Sequence, residues 1–194
     1  PVYMPWLGKK AYDGIMAAYT AASRKNGKKY IPLIKNATQL HVIEKGAFCG
    51  VVLDGSYNLT EANYKTSLQN LVDRVLITDK DGNQIGVVED TAAQQKYGVV
   101  QTVYKQEDGK DAQTEAKALL QTLEQTGSVT GCPGDSRAVS GYALIVQETT
   151  TGLFGKFYIE SDTHTFTDGK HEMALTLAFS NMMDEMEIEN QSQG

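Results

Sequence analysis

The 194 residues suffice for one large domain or two small ones, and a 41% apolar share gathered in clusters is enough for a packed core. A net charge of −6, with 18 Lys and Arg spread thinly, excludes a stripe able to neutralise a run of phosphates, so no nucleic-acid partner is expected. Two cysteines are too few for a disulfide framework, and no apolar run approaches the roughly 20 residues of a membrane span, so no membrane partner is expected either.

The sequence starts at Pro1 without a Met or a signal peptide, as expected of a fragment. Residues 1–8 (PVYMPWLG) are apolar and irregular, and Pro1 and Pro5 argue against helix there. A helix is predicted over 9–25, with Ala11, Ile15, Ala18 and Ala22 as its apolar stripe and Gly27 as its stop. Strands follow over 30–34 and 39–44, around a turn at Lys35-Asn36-Ala37, and over 48–53. Residues 1–55 therefore form a small α+β module.

The polar stretch 54–65 (DGSYNLTEANYK) is the expected boundary. A helical turn is predicted over 67–73, and a hairpin over 74–78 and 84–88 around Asp79-Lys80-Asp81-Gly82-Asn83. Asp90 caps a short helix that Gly98 ends, and a strand follows over 99–105. The helical periodicity over 111–125 predicts a helix with Ala112, Ala116, Leu119, Leu120 and Leu123 inward and Gly127 as its stop. Then come a turn over 131–135, a strand over 142–147 and a closing hairpin. Residues 60–183 thus read as mainly antiparallel strands with one long helix, favouring a barrel or sandwich over a parallel sheet. The acidic residues 184–194 are expected to fray.

The closing hairpin, FYIESDTHTFTDGKHEMALTLAF over 157–179, alternates with period two on both arms. A two-residue Asp168-Gly169 loop would set Leu177 opposite Glu160. A three-residue loop, Thr167-Asp168-Gly169, instead pairs Phe157 with Phe179, Ile159 with Leu177 and Thr163 with Met173, and is the predicted turn. In that register His164 lies across from Glu172, and His164 and His171 point to opposite faces, unable to share an ion.

Asp79 to Asn83 resembles the start of a calcium loop, but the sixth residue is Gln84, the twelfth is Asp90 and the flanks are strands, so a hairpin turn is expected. Cys49 stands at the start of a strand and Cys132 in a Pro-Gly turn, neither at a helix N-terminus that would activate a thiol. His41, His164 and His171 form no HxH or HExxH cluster. No carboxylate pair, Walker A or GxGxxG is present. No catalytic, cofactor-binding or metal-binding residue is nominated, and no cofactor or enzymatic activity is expected.

The segment Gly155-Lys156-Phe157-Tyr158-Ile159-Glu160-Ser161-Asp162-Thr163-His164-Thr165-Phe166, followed by Asp168-Gly169 and Met173-Ala174-Leu175-Thr176-Leu177, resembles the C-terminal end of a phage tail family. That family is the baseplate hub, or late-control, protein of prophage tails like that of PBSX. Residues 46–54, 70–98 and 140–147 fit it as well. The resemblance implies a trimeric hub with two tube-like β-barrel domains per subunit and smaller α+β insertions. On that basis 60–183 is the second tube domain and 1–55 an inserted module, and a first barrel is expected to precede residue 1. The implied role is structural, in the virion tail after assembly in the host cytoplasm, joining the tail tube to the puncturing device (a spike or tail lysozyme). The rival expectation is a tail-associated cell-wall hydrolase or accessory binding module.

Overall fold

The computed structural model describes residues 10–186. The chain forms two compact units: residues up to Tyr64 together with those from Thr126 onward, and Lys65–Gln125 between them. The segment 1–8 and most of the acidic tail lie outside the described residues.

The first unit opens with α1 (Ala11–Asn26), which ends where Gly27 takes a left-handed φ of 72° and donates its N–H to Ser23. Its buried residues are Gly14, Met16, Ala17, Thr20 and Ser23, not the predicted alanine stripe. The helix lies beside a hairpin of β1 (Tyr30–Lys35) and β2 (Gln39–Glu44), with Tyr19 and Tyr30 rings 4.8 Å apart. Residues after Phe179 return to this layer. Tyr12 Oη donates to Asp184, Lys29 Nζ pairs with Glu185 at 3.2 Å, and the Met186 N–H donates to Thr20 Oγ1. The start of the acidic segment is therefore held rather than frayed. Next come β3 (Phe48–Asp54) and β4 (Glu61–Ser67).

The second unit carries β5 (Arg74–Thr78), β6 (Gln84–Glu89), α2 (Thr91–Tyr97), β7 (Gln101–Lys105) and α3 (Ala112–Ala118). Asp90 caps α2 by accepting from the N–H groups of Ala92 and Ala93, as its sequence predicts. The sheet order is β6-β5-β7, with β7 parallel to β5. Ala116 of α3 packs with Val75 and Ile77 to form this unit's core. The predicted 111–125 helix is shorter: Val72 and Gln121 exchange backbone hydrogen bonds, and the chain is extended again from Glu124. The helical turn expected over 67–73 is not formed.

The chain re-enters the first unit through β8 (Glu124–Pro133), β9 (Ala143–Glu148), β10 (Leu153–Thr167) and β11 (Lys170–Ala178). These build a six-stranded sheet in the order β3-β9-β10-β11-β8-β4, with β3 parallel to β9. Leu53, Val129, Leu144, Val146, Leu153, Ile159 and Leu177 meet in its core. The expected barrel with one long helix is overturned: sheet accounts for 47% of the described residues, but the sheets are open and the three helices among those residues are short. A barrel requires first and last strands to pair, and here β3 and β4 are separate edges. Among the described residues β3 pairs with β9 and β5 with β7 in parallel, while the hairpin pairings are antiparallel, as expected of mainly antiparallel strands.

Candidate functional site

The closing hairpin departs from prediction in an informative way. Thr167 pairs with Lys170, so the loop has two residues, with Asp168 at φ 50° and Gly169 at φ 75°. Positive φ at both central positions is the twist-matched hairpin turn, which Asp-Gly accepts. The predicted three-residue loop is therefore wrong. The mismatch that argued for it is relieved by a β-bulge: Ile159 pairs with Leu177 and Ser161 with Thr176, leaving Glu160 over.

The extra residue also changes which side chains face inward. Before it, Phe157 and Ile159 are buried; after it, Asp162 and His164 are half-buried, opposite Leu175 and Met173. His164 therefore does not face Glu172, which pairs with Thr165. His171 pairs with Phe166, and its ring lies on the same side as His164, not the opposite one.

The result is a compact polar cluster. His164 Nδ1 and His171 Nε2 are 2.8 Å apart, while His164 Nε2 lies 3.1 Å from the carbonyl of Ala138. A carbonyl only accepts, so His164 Nε2 carries a proton. Asp162 sits 3.6 Å from that nitrogen and accepts from the Ser140 N–H at 2.6 Å. The His171 ring stacks on Phe166, centroids 4.1 Å apart, and lies close against Gly134, where an added Cβ would stand 2.1 Å from its Cδ2. Together these contacts lay the 134–142 connection along β10 beyond the reach of β9, whose pairing stops at Tyr158. The two rings form a hydrogen-bonded pair, and among the described residues no group of three or more His, Cys, Asp or Glu is placed to hold a metal ion.

Arg137 Nε and Nη2 donate to the two carboxylate oxygens of Asp135 at 2.9 and 2.6 Å, and this fork holds the Asp135 carboxyl down to about 2. Arg137 also lines a groove of about 600 Å³ with Leu33, Ile34, Phe48, Cys49 and Tyr142. Cys49 is half-buried there, and Cys132 is buried in the sheet, where desolvation pushes its thiol up. His41 lies exposed on β2, opposite Leu33. Asp79 accepts from the N–H groups of Asp81 and Asn83, which closes a hairpin turn between β5 and β6. Among the described residues no helix is long and apolar enough to cross a membrane.

The geometry defines a mainly β, two-unit protein with open sheets and exposed apolar side chains, including Phe48 and Phe154. The chain belongs to the YQBQ-like family, whose model matches residues 4–178. It is 26% identical over 145 residues to the phage-like element PBSX protein XkdQ of Bacillus subtilis, a match covering 69% of this chain and 44% of that protein. Its fold is similar to that of the prophage MuSo2 43 kDa tail protein from Shewanella oneidensis, with a TM-score of 0.54 and 14% identity, over 77% of this chain and 50% of the other. A tail protein from Neisseria meningitidis aligns over 84% of this chain and 54% of its own length, at 14% identity and a TM-score of 0.48. The chain thus spans about half the length, or less, of the proteins it matches.

Proposed function

We propose that this chain is a structural part of a phage or prophage tail, and that it serves in the baseplate hub between tail tube and puncturing device. The family match over 4–178, with a PBSX protein as relative, is the observation that carries this reading. The fold it shares with a prophage tail protein supports it. The open sheets fit the same role physically. Edge strand β4 can be extended by a strand from a neighbouring subunit, as in a closed ring that leaves no edge over, whereas Asn58 already caps the outer edge of β3 at Val52 and Asp54. In this reading the whole protein works as a trimer, its partners are other tail proteins, and the chain is non-enzymatic.

Immunogold electron microscopy of induced tail particles, with antibody against this chain, tests the proposal. Gold at the end of the tube away from the head is the expected result. Unlabelled intact tails, with the protein free in the lysate, would refute it.

A further inference from the structure

The His164–His171 pair can count protons. With both rings neutral, His164 keeps its proton on Nε2 for Ala138, so Nδ1 is an acceptor and His171 Nε2–H donates to it. One added proton leaves this bond intact on either ring. It can sit on His171 Nδ1, or on His164 Nδ1 with His171 Nε2 now accepting. A second proton cannot be accommodated, because both facing nitrogens would then carry hydrogens 2.8 Å apart. We propose that the pair is a proton-operated latch, closed with zero or one proton and opened by two, whose opening releases residues 136–140 of the connection from β10, while backbone hydrogen bonds keep Gly134, Gly141 and Tyr142 in place.

The surroundings make the opening consequential. His164 reaches Ala138, and Asp162 beside it takes the Ser140 N–H, so the side chains of one strand end hold two points of the connection. Further along, Gly141 N–H donates to Ile159 and Ile159 N–H to Tyr142, through backbone alone. The connection supplies Ser136, Arg137, Val139 and Ser140 to the wall of the 600 Å³ groove, so the latch sets that wall's position. Charged and titratable groups meet the pair from each neighbouring element. Asp162 comes from β10 and Asp135, forked by Arg137, from the connection. Lys170 and Glu172 flank His171 on β11, Tyr57 lines the pocket beside it, and Cys132 lies opposite Met173. Two N–H groups held face to face at 2.8 Å repel each other, and that contact is what a second proton creates.

The test is residue-resolved amide exchange on the whole chain, corrected for intrinsic rates, with ring ¹⁵N shifts recorded in parallel. Protection of the Ser140 amide is expected to fall about tenfold between about pH 8 and pH 5, while that of Leu177 in the core holds. In His171→Phe the ring stack on Gly134 is kept and the facing donor removed, so His164 can take a proton without repulsion and the fall disappears. At the alkaline end the shifts of the unsubstituted chain should show Nε2–H tautomers at both rings. Constant Ser140 protection, an equal fall in His171→Phe, or an Nδ1–H tautomer at His164 would each overturn the latch.

Discussion

Removing one residue from a central strand ordinarily inverts every side chain beyond the cut, yet deleting Glu160 should be tolerated. Glu160 is exposed and sits in the bulge, outside the pairing of Ile159 with Leu177 and Ser161 with Thr176. Without it the two pairs become consecutive, and Phe157, Ile159, Asp162 and His164 all keep their inward side. No buried apolar group is lost. The cost lies in the anchors: Ile159 and Asp162 would stand one residue closer, while Gly141, Tyr142 and Ser140 hold them at 3.0, 2.9 and 2.6 Å. Losing one or two such hydrogen bonds costs about 1–3 kcal/mol. Deleting Tyr158 instead forces either Phe157, 4% exposed, or Ile159, fully buried, to the wrong face. Each misplaced side chain forfeits about 1.5–3 kcal/mol of burial, before the broken pairing with β9 is counted. Denaturant unfolding at equal slope should therefore rank deletion of Glu160 well above deletion of Tyr158. Equal loss in both, or unfolding of the Glu160 deletion alone, would refute the bulge as the hinge of the strand's two faces.

Three further outcomes follow from the same contacts. Gly134→Ala places a Cβ 2.1 Å from His171 Cδ2, so the ring must leave its stack on Phe166. Overpacking of this kind costs about 1–3 kcal/mol, read from thermal melts together with a change in the His171 ring shifts. Leu177→Ala removes a fully buried side chain from the centre of the main core, and the denaturation midpoint should fall by the equivalent of about 2–5 kcal/mol. Glu148 accepts from the Thr151 hydroxyl and from the N–H groups of Thr151 and Thr150, and these bonds, the hydroxyl first, hold its carboxyl down to about 2. A depressed carboxyl stabilises the fold above its unfolded value, and the contribution is lost as pH falls through about 2. Glu148→Gln should therefore melt below the parent near neutral pH, and the gap should close as the medium is acidified.

Local signals in the sequence were sound where one residue decides the outcome. Gly27 ends α1, Asp90 caps α2, and the 39–44 and 74–78 strands stand where alternation puts them. The buried face of α1 was not legible, because Ala17, Ala18, Ala21 and Ala22 surround the helix with equally small apolar groups. The face chosen carries Thr20, whose hydroxyl donates to Met16 and accepts from Met186, a partner 166 residues away. The leucines at 119, 120 and 123 match a helical period, yet long-range pairing at Val72–Gln121 takes that stretch from the helix. Strand order is equally non-local: nothing in the alternation of 48–53 says that it will lie parallel to 143–148.

The histidine pair was hidden for a reason that the hairpin itself explains. Turn geometry favours a two-residue Asp-Gly loop, whereas the core demands Ile159 opposite Leu177, and one uninterrupted ladder cannot satisfy both. Widening the loop to three residues reconciles them, but it would bring Thr163 inward against Met173 and turn His164 out. The connection over 134–142 would then lose both the Ala138 and the Ser140 anchors. Placing the extra residue inside the strand keeps the tight turn and the core pairing, and it gives Asp162 and His164 an inward place. The conflict between turn and core is thus resolved by the bulge at Glu160, and the polar cluster is its direct consequence.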